Sequence, residues 1–343
     1  MTSHGRARSV TIKDVAHLAK VSPKTVSNVV NGYVHVSPVT RKRVQRAIQE
    51  LDFRPNRSAR NLRRGSTGII GVIVPDLHMS YFAELSHQLL MAAEEHGRTL
   101  LIEQTLGDWR REEAVIDHLG DRFVDGVVVT PLAPHGSAFT GRAGMGFVFI
   151  GERPSGCSAD YVGIDNVAAS REAVTHLVDR GRRRIAAIGL QPEPCGGTPL
   201  QRHTGYREAL AATGLPVDTR LEKETVRYHL HDGARAMRSL LDGPCPPDAV
   251  FCFNDALALG ALRALHQRGL RVPDDVAVMG FDDFEATEFS TPSLSSVASD
   301  KAAMARGAVR LLLERIDSPE RPAREILLGH TLRIRESTVG GFS

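Results

Sequence analysis

Cysteine is scarce in this chain: 343 residues contain four, Cys157, Cys195, Cys245 and Cys252, and no two of them form a C-x-x-C pair. That argues against a zinc ribbon or a dithiol redox motif, and reduced thiols suit a cytosolic protein. Aromatic residues make up only 5%, and the lone Trp109, in a mixed acidic and basic helical stretch, is given no role. No apolar run approaches the length of a bilayer span. The start, Met1–Val10, carries His4, Arg6 and Arg8 and is too polar for a signal peptide, so a cytoplasmic protein with no membrane partner is expected. Catalytic signatures are missing as well: there is no G-x-x-x-x-G-K-S/T loop, no H-E-x-x-H and no G-x-S-x-G. The glycines at 141, 144 and 146 stand in the wrong order for a dinucleotide fingerprint. An enzyme is therefore not expected, nor a cofactor or a metal.

What is present is length and a lopsided charge. A chain of 343 residues exceeds what one hydrophobic core usually supports, so at least two domains are expected. Residues 1–66 hold 14 Lys or Arg against Asp14, Glu50 and Asp52, a surplus of 11, whereas the rest holds 29 Lys or Arg against 37 Asp or Glu. A basic head on an acidic body points to a polyanionic partner at the N-terminus.

The head reads as three short helices. Ile12, Val15, Ala16 and Ala19 recur at helical spacing behind Thr11, a suitable N-cap. Ser22-Pro23 opens a second helix with Val26, Val29 and Val30 on its inner face, and Asn31-Gly32 ends it. Ser37-Pro38 opens a third, with Val44, Ala47, Ile48 and Leu51 inside and Arg41, Lys42, Arg43 and Arg46 outside. Two helices joined by a tight turn and braced by a third form a helix-turn-helix pattern. The second helix keeps Lys24, Ser27 and Asn28 on its outer face. Asn pairs bidentately with an adenine edge and Lys donates to guanine O6 and N7, while Thr25 and the backbone at the helix start suit phosphates. A plain helical bundle with a polar face is the competing reading, and the basic surplus weighs against it.

The string T-I-K-D-V-A-x-x-A-x-V-S-x-x-T-V-S-x-V-V-N-G, followed by V-S-x-x-T-R-x-R-V and L-x-F-x-P-N-x-x-A-R-x-L, resembles the lactose repressor family of bacterial regulators almost without gaps from Thr11 to Leu62. The resemblance implies operator contacts from Thr11, Ser22, Pro23, Lys24, Thr25, Ser27, Asn28 and Asn31, with base reading by Pro23, Lys24 and Asn28. Asn28 stands where the family most often has Arg, which implies an altered operator.

Residues 55–64 form a basic segment with Asn56 as a cap and Ala59 and Leu62 on one side, too short to hold a helix alone in water. By resemblance this hinge folds on DNA against its dimer mate, with Leu62 wedging into the minor groove and Arg57, Ala59 and Arg63 at the duplex. An ordinary basic linker is the alternative.

From Gly68 onward, short apolar runs (GIIGVIVPDL, TLLIEQT, DGVVVT, GFVFIG, then RRIAAIG, residues 222–226, DAVFCF and DVAVMGF) alternate with amphipathic stretches, two of them at about 80–96 and 108–122. Near-continuous apolar strands between helices imply parallel sheets covered on both faces. The expected fold is an all-α helix-turn-helix head plus an α/β, two-lobed, periplasmic-binding-protein-like core. Its ligand cleft lies at the carboxyl ends of the strands. The body resembles sugar-binding periplasmic-type domains, and the resemblance implies ligand contacts from Arg202, placed in a polar loop, and Asp255, with Asp282 nearby. Strand-end position adds Asn254, Asp165 and the aromatic pair Tyr81-Phe82. Asp accepts from two hydroxyls and Arg donates a planar fork, which suits a polyol. Each residue also has a plainer reading: Asp255 as a helix cap, Asp282 as a turn residue, Arg202 in a surface ion pair, Tyr81 and Phe82 as core. The family's polar amide near the second lobe crossing is replaced here by Ser299.

The expected domains are a head over residues 1–55, a hinge over 56–66 and a core over 67–343. Lobe 1 takes about 67–165 plus 298–328, and lobe 2 about 166–297 plus 329–343. The long helix Asp300–Ile316 is placed by resemblance at a dimer interface, and no heptad extension for a tetramer follows it. The expected partners are near-palindromic double-stranded operator DNA, a second copy of the chain, and a small-molecule effector, a sugar ahead of a nucleoside. Repression is the default reading and activation the alternative.

Overall fold

The structure is a computed structural model and describes residues 10–30, 33, 35–53, 66–121, 124–131, 139, 145–154, 158–191 and 197–339. The chain divides into two units, Met1–Thr67 and Gly68–Ser343.

In the first unit, helices α1 (Ile12–Leu18), α2 (Pro23–Val30) and α3 (Pro38–Glu50) enclose Val15, Ala16, Ala19, Val26, Val29, Val44 and Ala47. Ile48, Leu51 and Val30 are only partly buried against that core. Each helix start is chemically marked. The Asp14 carboxylate accepts from the backbone N–H of Thr11 at 2.8 Å and from its hydroxyl at 2.7 Å. Ser22 Oγ accepts from the Thr25 N–H at 3.1 Å and Ser37 Oγ from the Thr40 N–H at 3.3 Å. The turn from α1 to α2 is closed by Val21 N–H donating to the Ala16 carbonyl at 3.0 Å and Lys20 N–H to the His17 carbonyl at 3.2 Å. This is a helix-ending Schellman pattern with Lys20, at φ +50°, in the left-handed position where glycine is usual.

The second unit holds two six-stranded sheets. In the first, β1 (Ile69–Val74), β2 (Thr99–Gln104), β3 (Gly126–Val129), β4 (Gly146–Ile150), β5 (Asp160–Ile164) and β11 (Glu325–Leu328) lie in the order β11-β5-β4-β3-β1-β2, parallel throughout. The second contains β6 (Ile185–Leu190), β7 (Glu222–Glu224), β8 (Ala249–Cys252), β9 (Ala277–Asp282), β10 (Ser295–Ser299) and β12 (His330–Arg333), in the order β12-β10-β9-β8-β6-β7. Only the β10–β12 pair is antiparallel. Apart from edge strands and ends, β1, β3, β4, β5, β6, β8 and β9 are buried, because helices cover both faces. Each sheet reverses its strand order once, at β1/β3 and at β6/β8. Such reversals leave a crevice at the strands' carboxyl ends.

The chain passes between the sheets three times: after β5 into α6 (Asn166–Asp179), after β10 into α11 (Lys301–Asp317), and from β11 to β12. Helix α11 packs on β3, β4, β5 and on α4 (Ser80–Glu95), and its Asp300 is the N-cap, accepting from Ala303 N–H at 2.8 Å. The stretch expected as one helix at 108–122 is a 3-10 turn, Trp109–Arg111, followed by α5, Glu112–Asp121. The remaining helices are α7 (Thr198–Ala212), α8 (Leu230–Leu241), α9 (Asp255–Gln267), α10 (Ala286–Phe289) and α12 (Glu336–Val339). Among the described residues no helix is long and apolar enough to cross a membrane, and no cluster of His, Cys, Asp and Glu is arranged to hold a metal ion.

Candidate DNA-reading face and effector cleft

On the head, Ser22, Pro23 and Lys24 are exposed at the first turn of α2, with Thr25, Ser27 and Asn28 half-buried behind them and Thr11 exposed at the start of α1. Burying Val26 and Val29 turns this polar side outward, since residues three and four apart share a face. Asn31, Arg57, Ala59, Leu62 and Arg63, and with them the hinge over 56–66 apart from Ser66, lie outside the described residues.

In the core, a cavity of about 260 Å³ lies at the carboxyl ends of both sheets. One wall comes from the residues after β1 to β4: Pro75, Asp76, Leu106, Thr130 and Gly151–Pro154, with Met79, Tyr81 and Phe82 at the start of α4. The other comes from the ends of β6 to β9 and the start of α7: Gln191, Gly197–Pro199, Arg202, Val226–His229, Asn254 and Asp282.

Arg202 is the most constrained group in it. The residue belongs to α7 and not to a loop as expected, because Thr198-Pro199 starts the helix earlier, with proline in its first turn. The guanidinium lies over the Phe281 ring, 3.6 Å from its centre. Its Nε donates to Asn166 Oδ1 at 3.1 Å, its Nη1 to the Phe253 carbonyl and its Nη2 to Asp282 Oδ1 at 3.4 Å. Three of its five N–H donors are thereby used in fixing its plane. Asp282 is 8% exposed, and its φ of +104° is unusual for a residue with a side chain. Burial lifts its carboxyl from 3.8 to about 6, against the opposing pull of Arg202 and Lys301.

Asn254 caps α9, accepting from Leu257 N–H at 2.9 Å, while its Nδ2 donates to the Tyr228 carbonyl at 3.2 Å. Tyr81 and Phe82 meet edge to face with centroids 5.2 Å apart, and both line the cavity while packing on the core. Burial keeps the Tyr81 phenol protonated, and its hydroxyl donates only weakly, to Met304 Sδ at 3.9 Å.

Two expected contacts are placed elsewhere. Asp165 is exposed and caps α6, its carboxylate accepting from Ala168 N–H at 2.9 Å, and it does not line the cavity. Asp255 is 0% exposed and points away from the cavity; the cap of α9 is Asn254, not Asp255. One residue along a helix start turns a side chain by roughly 100°, and that step separates cavity from interior here.

Sequence reasoning missed Glu152, Thr198 and Tyr228. Glu152 follows β4, and its carboxylate accepts the Thr198 N–H at 2.7 and 2.8 Å, joining the first sheet's loop to the start of α7 across the cleft. Burial raises the Glu152 carboxyl above its ordinary value, and the Thr198 hydrogen bonds offset part of that. Gly197 makes this approach possible: at φ +77°, a Cβ there would sit 1.6 Å from Glu152 Oε2. The strand-end rule that singled out Asn254 applies equally to Glu152, two residues past the apolar run GFVFI.

A helix-turn-helix unit with a polar outward face, followed by two doubly wound lobes enclosing a polar and aromatic cleft, defines a DNA-binding regulator. Known proteins agree. The profile described as "Bacterial regulatory proteins, lacI family" matches residues 11–56, and that of a "Periplasmic binding protein-like domain" matches residues 174–338. The chain is 37% identical over 343 aligned positions to the HTH-type transcriptional regulator CelR of Thermobifida fusca, covering 97% of this chain and 99% of that protein. It is 33% identical over 341 positions to the HTH-type transcriptional repressor CytR of Escherichia coli, covering 98% and 99%. Among solved structures, the lac repressor dimer bound to operator and the anti-inducer ONPF superposes with a TM-score of 0.85 at 25% identity, covering 97% of this chain and 100% of that one. A CelR–cellobiose complex superposes with a TM-score of 0.72 at 34% identity, covering 96% and 99%. The chain belongs to the lacI family of bacterial regulatory proteins and is a DNA-binding transcriptional regulator.

Proposed function

We propose that this regulator is a homodimeric repressor whose grip on a near-palindromic operator is set by a neutral sugar held in the cleft between the lobes. The observation that carries the sugar reading is the fixed pair Arg202–Asp282, backed by Asn254 and faced by Phe82 and Tyr228. An acceptor carboxylate and a clamped donor fork serve vicinal hydroxyls, and aromatic walls serve the apolar face of a ring. The cellobiose complex of CelR supports the same class of ligand. In this reading Pro23, Lys24 and Asn28 read base edges, and Thr11, Ser22, Thr25, Ser27 and Asn31 hold the backbone. Arg57, Ala59, Leu62 and Arg63 belong to the hinge and enter the minor groove between two heads spaced about one helical turn apart. The head over 1–55, the hinge over 56–66, the core over 67–343 and its division into two lobes belong to the same proposal, as does residence in the cytoplasm.

The test is a thermal-shift screen of the full chain against cellobiose, glucose, ribose and nucleosides, followed by operator selection with and without the hit. A stabilising sugar that changes operator affinity at fixed salt is expected, with affinity falling steeply as salt rises because counterions are released from neutralised phosphates. A nucleoside hit with no sugar response overturns the sugar reading, and no preference for any duplex over random competitor overturns the operator reading.

A further inference from the structure

Asp255 follows the cavity-lining Asn254 by one residue, yet it turns inward and meets the segment just beyond Asp282. Ser296 Oγ donates to Asp255 Oδ1 at 2.6 Å, and the Phe284 N–H donates to Asp255 Oδ2 at 3.3 Å. Ser296 Oγ in turn accepts from the Asp283 N–H at 3.2 Å. The two backbone N–H groups that follow Asp282 therefore both end on the Asp255–Ser296 pair. The backbone there is unusual, with φ of +104° at Asp282 and +49° at Asp283. Non-glycine residues stay in such conformations only where their surroundings over-determine them. Gly280 leaves the room required: a Cβ at this position would lie 2.1 Å from Asp255 Oδ1.

We infer that Asp255 is a positioning residue for effector binding: acting through Ser296 and the Phe284 amide, it holds the Asp282–Asp283 turn in the conformation that presents the Asp282 carboxyl to Arg202 and to the cleft. The inference rests on the cleft being the effector site. Burial, and next the neighbouring Asp282, push the Asp255 carboxyl well above its ordinary range. Asparagine is nearly the same size: its amide oxygen can accept the Phe284 N–H and its amide nitrogen can donate to Ser296 Oγ, so it keeps both attachments of the turn.

The experiment compares full-length Asp255→Asn, Asp255→Ala and Ser296→Ala with the parent chain, by ligand-free crystal structures and by calorimetry with cellobiose as the probe. The expected result is that Asp255→Asn keeps the turn and the Arg202–Asp282 contact and binds the probe within about threefold of the parent. The two alanine variants are expected to let the turn relax and to weaken binding roughly tenfold or more, the effect of stranding a buried hydrogen-bonding group. Should Asp255→Ala fail to fold, Ser296→Ala, which strands the Asp283 N–H while leaving the carboxyl in place, carries the comparison. An unmoved Asp282 in the alanine variants overturns the inference. So does an asparagine variant as impaired as alanine with the turn intact, which would mean that the carboxyl touches ligand. A parent chain that ignores cellobiose counts against the sugar reading alone, because the ligand-free structures still decide the role of Asp255.

Discussion

Replacing Asp282 by asparagine separates two forces that oppose each other at one carboxyl. Burial disfavours its charge, and Arg202 Nη2 at 3.4 Å favours it. The structure favours burial: the folded-state value rises from 3.8 to about 6. Between those two values the native chain binds the proton that the unfolded chain has released, so stability declines as pH rises through the window. The contribution is fully present below 3.8 and gone above about 6. The interval corresponds to about 3 kcal/mol. Asp282→Asn lacks the titration, so its stability relative to the parent is expected to improve by up to that amount between pH 4 and pH 7.5. The cost of leaving Arg202 beside a neutral group is common to both ends and cancels. Denaturant midpoints of the ligand-free full chain and the variant, measured at both pH values, give the difference directly. A difference that stays constant across the window would refute the reasoning. One that moves against the variant as pH rises would mean that Arg202 outweighs burial. The same variant is expected to bind effector more weakly, a trade of function for stability.

Asp160, at 0% exposure, gives a prediction of opposite sign. Burial pushes its carboxyl up, but hydrogen bonds from Arg321, at 2.6 and 2.8 Å, and from Arg315, at 3.1 Å, outweigh that and hold it below its ordinary value. Asp160→Asn is expected to destabilise the core by about 3–5 kcal/mol at neutral pH, as breaking a buried ion pair does. In the parent this contribution is present above the unfolded-state value of 3.8 and disappears as pH falls through the lower folded value, which acid denaturation would report. On the head, Asn28→Arg is expected to change the preferred base at one operator position and to leave the others unchanged, as read by selection from randomised half-sites. An unaltered selection profile would remove Asn28 from base contact.

How much of this was legible beforehand follows from period and position. The three head helices could be read because each announces its start with Thr11, Ser22-Pro23 or Ser37-Pro38 and keeps its valines at helical spacing. The buried central strands could be read because burial on both faces makes them continuously apolar. Strands β10, β11 and β12 escaped. SSVAS is serine-rich because Ser295 and Ser296 serve buried hydrogen bonds, and EILL and HTLR are half-exposed strands at sheet edges. SSVAS and HTLR leave no apolar run, and EILL leaves one of only three residues.

The cleft divides along the same line. Local sequence determined that polar residues stand at strand ends, because a strand that leaves a buried sheet must there meet solvent or ligand; Asn254 and Asp282 follow from that alone. Only the tertiary structure decided which of them face one another. Arg202 reaches Asp282 across 80 residues of chain, and Glu152 reaches Thr198 across 46. Nothing local distinguishes Asp255, which supports the site from behind, from Asn254, which opens into it. Their difference is the direction of a side chain at the first turn of a helix. That direction has consequences only once two sheets have been packed around it.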